Sequence, residues 1–295
     1  MKNWLKNKTI VITGASSGFG KLLAEKAVKR YYCTVIGIGR NKEKLERVKN
    51  ELGDKFIYFA FDVGVEKDWI DFAQKLAIID LYPDILINNA GVLPPFCRFE
   101  SIDENAAEQV FKTNFFASVY SVRHILPIIK RHSTAPAVIN VSSSAILAQV
   151  VGTSIYSSSK SALASFTKIL ALENKNVYVA LVCPGFSDTA IFRSQKQTDE
   201  KSAKLIKKVC SDPDKITDKL LKKLIKRKKI YNSRRRRQSH AFFRKTIPVV
   251  YRQSHRLGFE EKQAPDLRRC VYRVKIYLKV KKTAPYGSFF TSEHF

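Results

Sequence analysis

Acidic residues are scarce in this chain: 26 Asp and Glu face 53 Lys and Arg over 295 residues, for a net charge of +27. Long apolar runs are missing as well. The stretches at residues 34–38 and 177–182 fall far short of the ~20 residues a membrane-crossing helix needs, so no span is expected. The opening Met1-Lys2-Asn3-Trp4-Leu5-Lys6-Asn7-Lys8 carries charge with no apolar core behind it, which argues against a secretory signal and for a cytoplasmic protein. Cysteine is present but unorganised. Cys33, Cys97, Cys183, Cys210 and Cys270 show neither a C-x-x-C pair nor a histidine partner at ligand spacing, so reduced thiols are expected, with no disulfide framework and no metal.

With 45% hydrophobic residues, the length suffices for one α/β domain with a full core. So large a positive surplus commonly marks a nucleic-acid or membrane-surface partner, but its distribution weakens that reading. From Tyr231 onward, 16 Lys and Arg meet 4 Asp and Glu, so +12 of the charge falls on the last 65 residues.

What is present begins with a short apolar run at residues 9–13 that ends in Thr13-Gly14-Ala15-Ser16-Ser17-Gly18-Phe19-Gly20. Leu22, Leu23, Ala27 and Val28 then recur at helical spacing. Strand, glycine-rich turn and helix together let a backbone approach the phosphates of a dinucleotide, while the helix start offers free N–H groups and the positive end of its dipole. A second strand at 34–38 ends at Gly39-Arg40-Asn41, ahead of an amphipathic helix over Lys42–Leu52. An acidic residue at this tip would bond the 2′-hydroxyl of NAD, whereas Arg40 offers a cation to the 2′-phosphate of NADP.

A third strand at 56–61 ends in Asp62-Val63, and a fourth, Ile85–Asn88, runs into Asn89-Ala90-Gly91. A fifth, Ala137–Val141, precedes Ser142-Ser143-Ser144, and a sixth at 177–182 leads into Cys183-Pro184-Gly185. Strands alternating with helices predict an α/β fold with a doubly wound parallel sheet, whose ligands gather at the carboxyl ends of the strands. Gly14, Arg40, Asp62, Asn89 and Ser143 all fall there. Residues 108–129 read as one long helix that carries Asn114 among Val110, Phe111, Phe115 and Phe116, a setting where asparagine serves structure more often than catalysis. The next helix, 156–173, holds Tyr156 and Lys160 on one face at the i, i+4 spacing.

In combination these motifs resemble the short-chain dehydrogenase/reductase family in its NADP(H)-preferring form, over residues 8–230. The resemblance rests on T-G-x-x-x-G-x-G at residues 13–20, N-N-A-G at 88–91, the helix asparagine Asn114, Ser143 thirteen residues before Tyr156, Tyr156-x-x-x-Lys160, and Pro184, Gly185 and Thr189. It implies one Rossmann domain over residues 1–230 and hydride transfer between NADP(H) and a carbonyl or secondary alcohol. It further implies Tyr156 as general acid/base and Lys160 as the charge that lowers its pKa and bonds the nicotinamide ribose. Ser143 would hold the substrate oxygen, and Asn114 would support a water next to Lys160. The cofactor contacts it implies are Gly14, Ser16, Ser17, Gly18, Phe19, Gly20, Arg40, Asp62, Val63, Asn89, Ala90, Gly91, Tyr156, Lys160, Pro184, Gly185 and Thr189. The partner is then a small carbonyl or alcohol substrate, with a homo-dimer or tetramer only if the closing segment permits it.

Asp212-Pro213-Asp214 predicts a capped helix through Ile225, and residues 226–230 the entry to the family's last strand. The resemblance stops there. Residues 231–295 form a basic tail with no sustained period, expected to be poorly ordered. A shift of reading frame near Tyr231 to Arg234 is the favoured explanation, and the coding DNA would test it. The competing reading is a basic arm for nucleic acid or a membrane surface, with Phe242, Phe243 and Tyr251 as aromatic partners. A second functional reading follows from the altered closing segment: a protein that binds nucleotide but is inactive. Val150, Val151, Ile155, Phe186, Ile191 and Phe192 suggest either an apolar substrate pocket or plain core packing.

Overall fold

The computed structural model describes residues 4–147, 151–185 and 212–226. Thr189, Val150, Phe186, Ile191, Phe192 and the tail from Tyr231 onward lie outside the described residues. Six short strands are rich in Val, Ile and Leu because helices cover both sides of the sheet they form. They are β1 (Thr9–Thr13), β2 (Thr34–Gly39), β3 (Phe56–Ala60), β4 (Ile85–Asn88), β5 (Ala137–Val141) and β6 (Tyr178–Val182). All pair in parallel in the order β3-β2-β1-β4-β5-β6. The order reverses at β1, whose Ile10 lies opposite both Val35 of β2 and Ile85 of β4, and such a reversal opens a crevice at the carboxyl ends of those strands.

The helices are α1 (Gly18–Tyr31), α2 (Lys42–Leu52), α3 (Glu66–Ile78), α4 (Glu104–Phe111), α5 (Ala117–His132), α6 (Ser154–Glu173) and α7 (Pro213–Ile225). Alternate strand residues face opposite sides. Ile10 and Ile12 join a core with Leu23, Ala27, Leu45, Val48, Leu220 and Leu224 from α1, α2 and α7. Val11 joins the other core, with Trp69, Phe72, Leu76, Val122, Ile125, Ile129 and Leu170 from α3, α5 and α6. The predicted doubly wound sheet is therefore present, with helix α2 and strands β1, β4 and β5 at the residues expected from the sequence.

The segment read as one helix over 108–129 is instead α4 and α5 joined by a π turn at Lys112–Phe116. One extra residue per turn is rare in helices and concentrates at functional positions. Here it turns Asn114 fully inward.

Helix α7 starts as predicted, with the Asp212 carboxylate accepting the Asp214 N–H at 2.9 Å and Pro213 in its first turn. A polar clasp fixes it to α1. Lys26, buried, places Nζ 2.8 Å from Asp214 Oδ1 and 2.5 Å from Asp218 Oδ1, and Arg30 Nη1 reaches the same Asp218 oxygen at 2.7 Å. Hydrogen bonding to Lys26, aided by the two cations, pulls the Asp218 carboxyl below the usual carboxylate range. Trp4 adds a hydrogen bond from Nε1 to the Leu224 carbonyl at 3.1 Å. Among the described residues no helix is long and apolar enough to cross a membrane.

Candidate active site

The glycine-rich turn is held by backbone and by one threonine. Gly14 adopts φ +68°, and its N–H donates to the Ile38 carbonyl at 2.7 Å, which tucks the turn against the end of β2. Buried Thr13 accepts the N–H groups of Asn89 and Ala90 on Oγ1, each at 2.9 Å, while Asn89 Nδ2 donates to the Thr13 carbonyl at 2.9 Å. Thr13 and Asn89 thus bind the tips of β1 and β4 together across the crevice. Gly20 lies so close to the Gly14 carbonyl that any side chain would collide with it, and a Cβ there would also sit 2.7 Å from Asn89 Nδ2. Helix α1 begins with no acidic residue in its first turn and no side-chain cap from Ser17. Its first N–H groups are available to an anion, which is the chemistry a dinucleotide phosphate needs.

Along the same edge, Arg40 is exposed just past β2, beside Asn41, whose Oδ1 caps α2 by accepting the Lys44 N–H at 2.7 Å. Asp62 Oδ1 accepts the Gly64 N–H at 2.9 Å, and the carbonyl of buried Val63 accepts Trp69 Nε1 at 2.8 Å. Gly14, Ser16, Ser17, Gly18, Phe19, Gly20, Arg40, Asp62, Val63, Asn89, Ala90 and Gly91 therefore belong to the loops at the carboxyl ends of β1 to β4. A basic residue at the β2 tip, a glycine turn and an open helix start suit a phosphate-bearing dinucleotide.

The second half of the site is assembled from β5, α6, the π turn and the loop after β6. The Tyr156 hydroxyl and the Ser143 side chain are near enough to influence each other, and Ser143 Oγ accepts the Ala145 N–H at 3.1 Å. Burial raises the Tyr156 pKa, while Ser143 pulls it the other way. Lys160, wholly buried in the next turn of α6, donates from Nζ to the Val141 carbonyl at 3.0 Å. Burial lowers its pKa from 10.5 to about 8. The sequence suggests that Lys160 depresses the tyrosine's pKa; among the protein's own groups burial outweighs that effect, and the lowering influence on Tyr156 is Ser143.

Asn114 braces this half. Its Oδ1 accepts the Val92 N–H at 2.8 Å, and its Nδ2 donates to the Val92 carbonyl at 3.0 Å and to Ser159 Oγ at 3.1 Å. Gly91 fits between the Asn114 and Lys160 side chains, where a Cβ would stand 3.2 Å from both Asn114 Oδ1 and Lys160 Nζ. Pro184 contributes its carbonyl to the Ser144 N–H at 2.9 Å, and Gly185 follows exposed.

Sequence reasoning missed the polar ladder beneath these groups. Ser121 Oγ donates to Asn88 Oδ1 at 2.7 Å, Asn88 Nδ2 to Asn140 Oδ1 at 2.9 Å, and Asn140 Nδ2 to Thr167 Oγ1 at 2.8 Å. All four are buried and link β4, β5, α5 and α6. The available signal was Asn140, a polar residue inside the apolar run of β5, where an amide is tolerated only with partners.

Residues 8–200 match the protein-family model described as short chain dehydrogenase. The chain is 35% identical over 186 residues to the uncharacterised oxidoreductase YIR035C of Saccharomyces cerevisiae, covering 62% of this chain and 71% of that protein. It is 31% identical over 225 residues to 3-ketodihydrosphingosine reductase of Bos taurus, covering 72% and 67% respectively. A short chain dehydrogenase of Shigella flexneri solved with NADP superposes with a TM-score of 0.67 at 27% identity, over 76% of this chain and 93% of that one. The family model covers well over half of the chain, and with the doubly wound sheet order the chain belongs to the short-chain dehydrogenase/reductase family of nicotinamide-dinucleotide oxidoreductases.

Proposed function

We propose that this chain is an NADP(H)-dependent oxidoreductase that interconverts a carbonyl compound and its secondary alcohol, with Tyr156 as the proton donor and acceptor. The observation that carries the reading is the grouping of Ser143 and Tyr156 one helical turn from the buried Lys160. When bound, the dinucleotide supplies or takes the hydride, and the protein's task is the accompanying proton. A tyrosine whose pKa is raised by burial is protonated near neutrality, which suits donation to a developing alkoxide. Lys160, with a pKa of about 8, is mostly cationic at pH 7 and stabilises the phenolate left behind. Ser143 holds the substrate oxygen next to the phenol, and Asn114 fixes the loop at Val92 against α6 so that these groups keep their spacing.

Arg40 at the tip of β2 supports NADP(H) over NAD(H), since its guanidinium can pair with a 2′-phosphate. The Shigella flexneri relative was solved with NADP, and the name of the Bos taurus relative describes a ketone reductase, both of which agree with this reading. The dinucleotide would lie along Gly14, Ser16, Ser17, Gly18, Phe19, Gly20, Arg40, Asp62, Val63, Asn89, Ala90, Gly91, Pro184 and Gly185, with Thr189 as the implied further contact. Phe116, Ile169 and Leu172 are exposed apolar residues of the π turn and α6, and we assign them to contact with a second copy of the chain. The deciding experiment measures NADPH and NADH oxidation against a panel of ketones and aldehydes, with cofactor binding followed by fluorescence. NADPH-dependent reduction of any member supports the proposal. Tight NADPH binding with no turnover across the panel would instead favour the nucleotide-binding, inactive protein.

A further inference from the structure

Two segments flank the Ser143–Tyr156 pair: residues 89–97 after β4, and residues 144–155 between the pair itself. In a chain of net charge +27, neither holds a single charged residue. They touch each other: a Cβ on Gly152, four residues before Tyr156, would lie 3.1 Å from Phe96 Cβ and 3.2 Å from the Cys97 backbone nitrogen. Around that contact large apolar side chains stand open to solvent. Phe96 is 41% exposed, Phe99 67%, Leu147 42% and Val151 74%. Other large exposed apolar residues among those described lie elsewhere: Tyr32 after α1, Ile70, Ile78 and its neighbour Ile79 at α3, and Phe116, Ile169 and Leu172 on the π turn and α6. A group of exposed apolar residues beside a site marks a surface that is covered when the protein works.

We propose that the substrate carries an extended, uncharged apolar chain on its carbonyl carbon, and that Phe96, Phe99, Leu147 and Val151 receive it. The inference rests on the oxidoreductase reading and adds the substrate class to it. A phosphorylated or carboxylate-bearing substrate would call for several Lys or Arg at the rim, and the single cation within residues 89–99 and 144–155 is Arg98. The carbonyl oxygen meets Ser143 and Tyr156, and the chain runs out over the rim at Gly152.

The test is a series of methyl ketones from butanone to dodecanone, assayed by NADPH oxidation with the full-length protein. Because each buried methylene contributes about 0.8 kcal/mol, kcat/KM should rise by roughly two- to fourfold per added methylene until the rim is filled. Val151→Asp and Phe99→Ser should flatten that rise, with a loss of kcat/KM that grows with chain length and is smallest for butanone. Reduction that is independent of chain length overturns the inference and leaves the oxidoreductase reading intact. If no ketone of the series is reduced, the oxidoreductase reading is left to the wider ketone and aldehyde panel, and the affinity of butanone and dodecanone for the NADPH-bound protein, read by quenching of NADPH fluorescence, still decides the rim. Tighter dodecanone binding lost in Val151→Asp upholds it, and equal affinities overturn it. A change of sedimenting mass in Val151→Asp, with the chain-length rise intact, identifies the rim as a self-association surface and also overturns the inference.

Discussion

The half of the sheet that ends in the glycine-rich turn and the half that presents Tyr156 are built by different means. At β1 to β3 the groups proposed to meet the dinucleotide are mostly backbone, exposed by glycines and by a helix start free of side-chain caps, with Arg40 and Asp62 as the charged side chains. At β4 to β6 the groups proposed to act are side chains, in a region braced by Asn114 and by the ladder from Ser121 to Thr167. Backbone recognition is local in sequence and tolerates much around it. Side-chain catalysis needs buried partners drawn from distant segments, because an unpaired polar group in a core is costly. The first half should therefore govern which dinucleotide binds, and the second how fast it is used.

The largest separation of the two is expected from Tyr156→Phe, which removes one oxygen. Turnover should fall by about three orders of magnitude or more while the NADPH dissociation constant changes little, because a positioned general acid typically contributes 10²- to 10⁴-fold. Stopped-flow rates beside fluorescence titration make the comparison. Loss of NADPH binding would show that the halves are not separable.

Lys160 belongs to both halves by its expected contact with the nicotinamide ribose, so Lys160→Met should weaken binding and rate together. Its lowered pKa adds a pH signature. Below about 8 the ammonium is charged and supports the phenolate, and above about 8 the charge is lost. The kcat/KM profile for ketone reduction should therefore fall as pH rises through about 8, and Lys160→Met should lack that break. A break that persists in the variant assigns it to another group.

Arg40→Asp asks the converse question. It should swing preference from NADPH toward NADH by about tenfold or more, about 1.4 kcal/mol, with kcat on the better cofactor nearly unchanged. If the preference stays put, the dinucleotide is chosen elsewhere.

How legible each half was follows from the same difference. The turn at Thr13 to Gly20, Arg40, and the spacing of Ser143, Tyr156 and Lys160 were readable because each sits in one short segment whose chemistry depends on residue type and local period. The strands were readable because their apolar runs are short and bounded. The π turn was not, since its i to i+5 bonds leave no compositional mark and Asn114 looked like any polar residue in a helix. The ladder was missed because Asn88 and Asn140 acquire a meaning only when β4 and β5 pair, which puts them side by side. The Tyr156 pKa was misjudged for a similar reason: charge proximity is visible at i, i+4, but the extent of burial is not.

That ladder offers a stability test of the second half. Asn140→Val leaves Asn88 Nδ2 without its acceptor and Thr167 Oγ1 without its donor, and should cost about 2 to 4 kcal/mol in urea unfolding. A variant as stable as the parent would mean that the ladder only fills space.

The smallest expected effect concerns the clasp of α7 on α1, which lies on the dinucleotide side of the sheet yet is made of side chains. Lys26→Met keeps most of the buried aliphatic stem and removes the cation between Asp214 and Asp218. Both aspartates can be rehydrated and exposed ion pairs contribute little, so only a small loss of stability is expected. Asp218 has its pKa depressed in the folded state, so its share of stability is present above the unfolded value near about 4 and disappears as pH falls through the lower, folded one. Thermal unfolding of the parent should therefore steepen in that acid window, and Lys26→Met should flatten it. If the two proteins lose stability in parallel down to the lowest pH, the clasp is an accessory of α7 packing, and Leu220, Leu221 and Leu224 alone seat the helix.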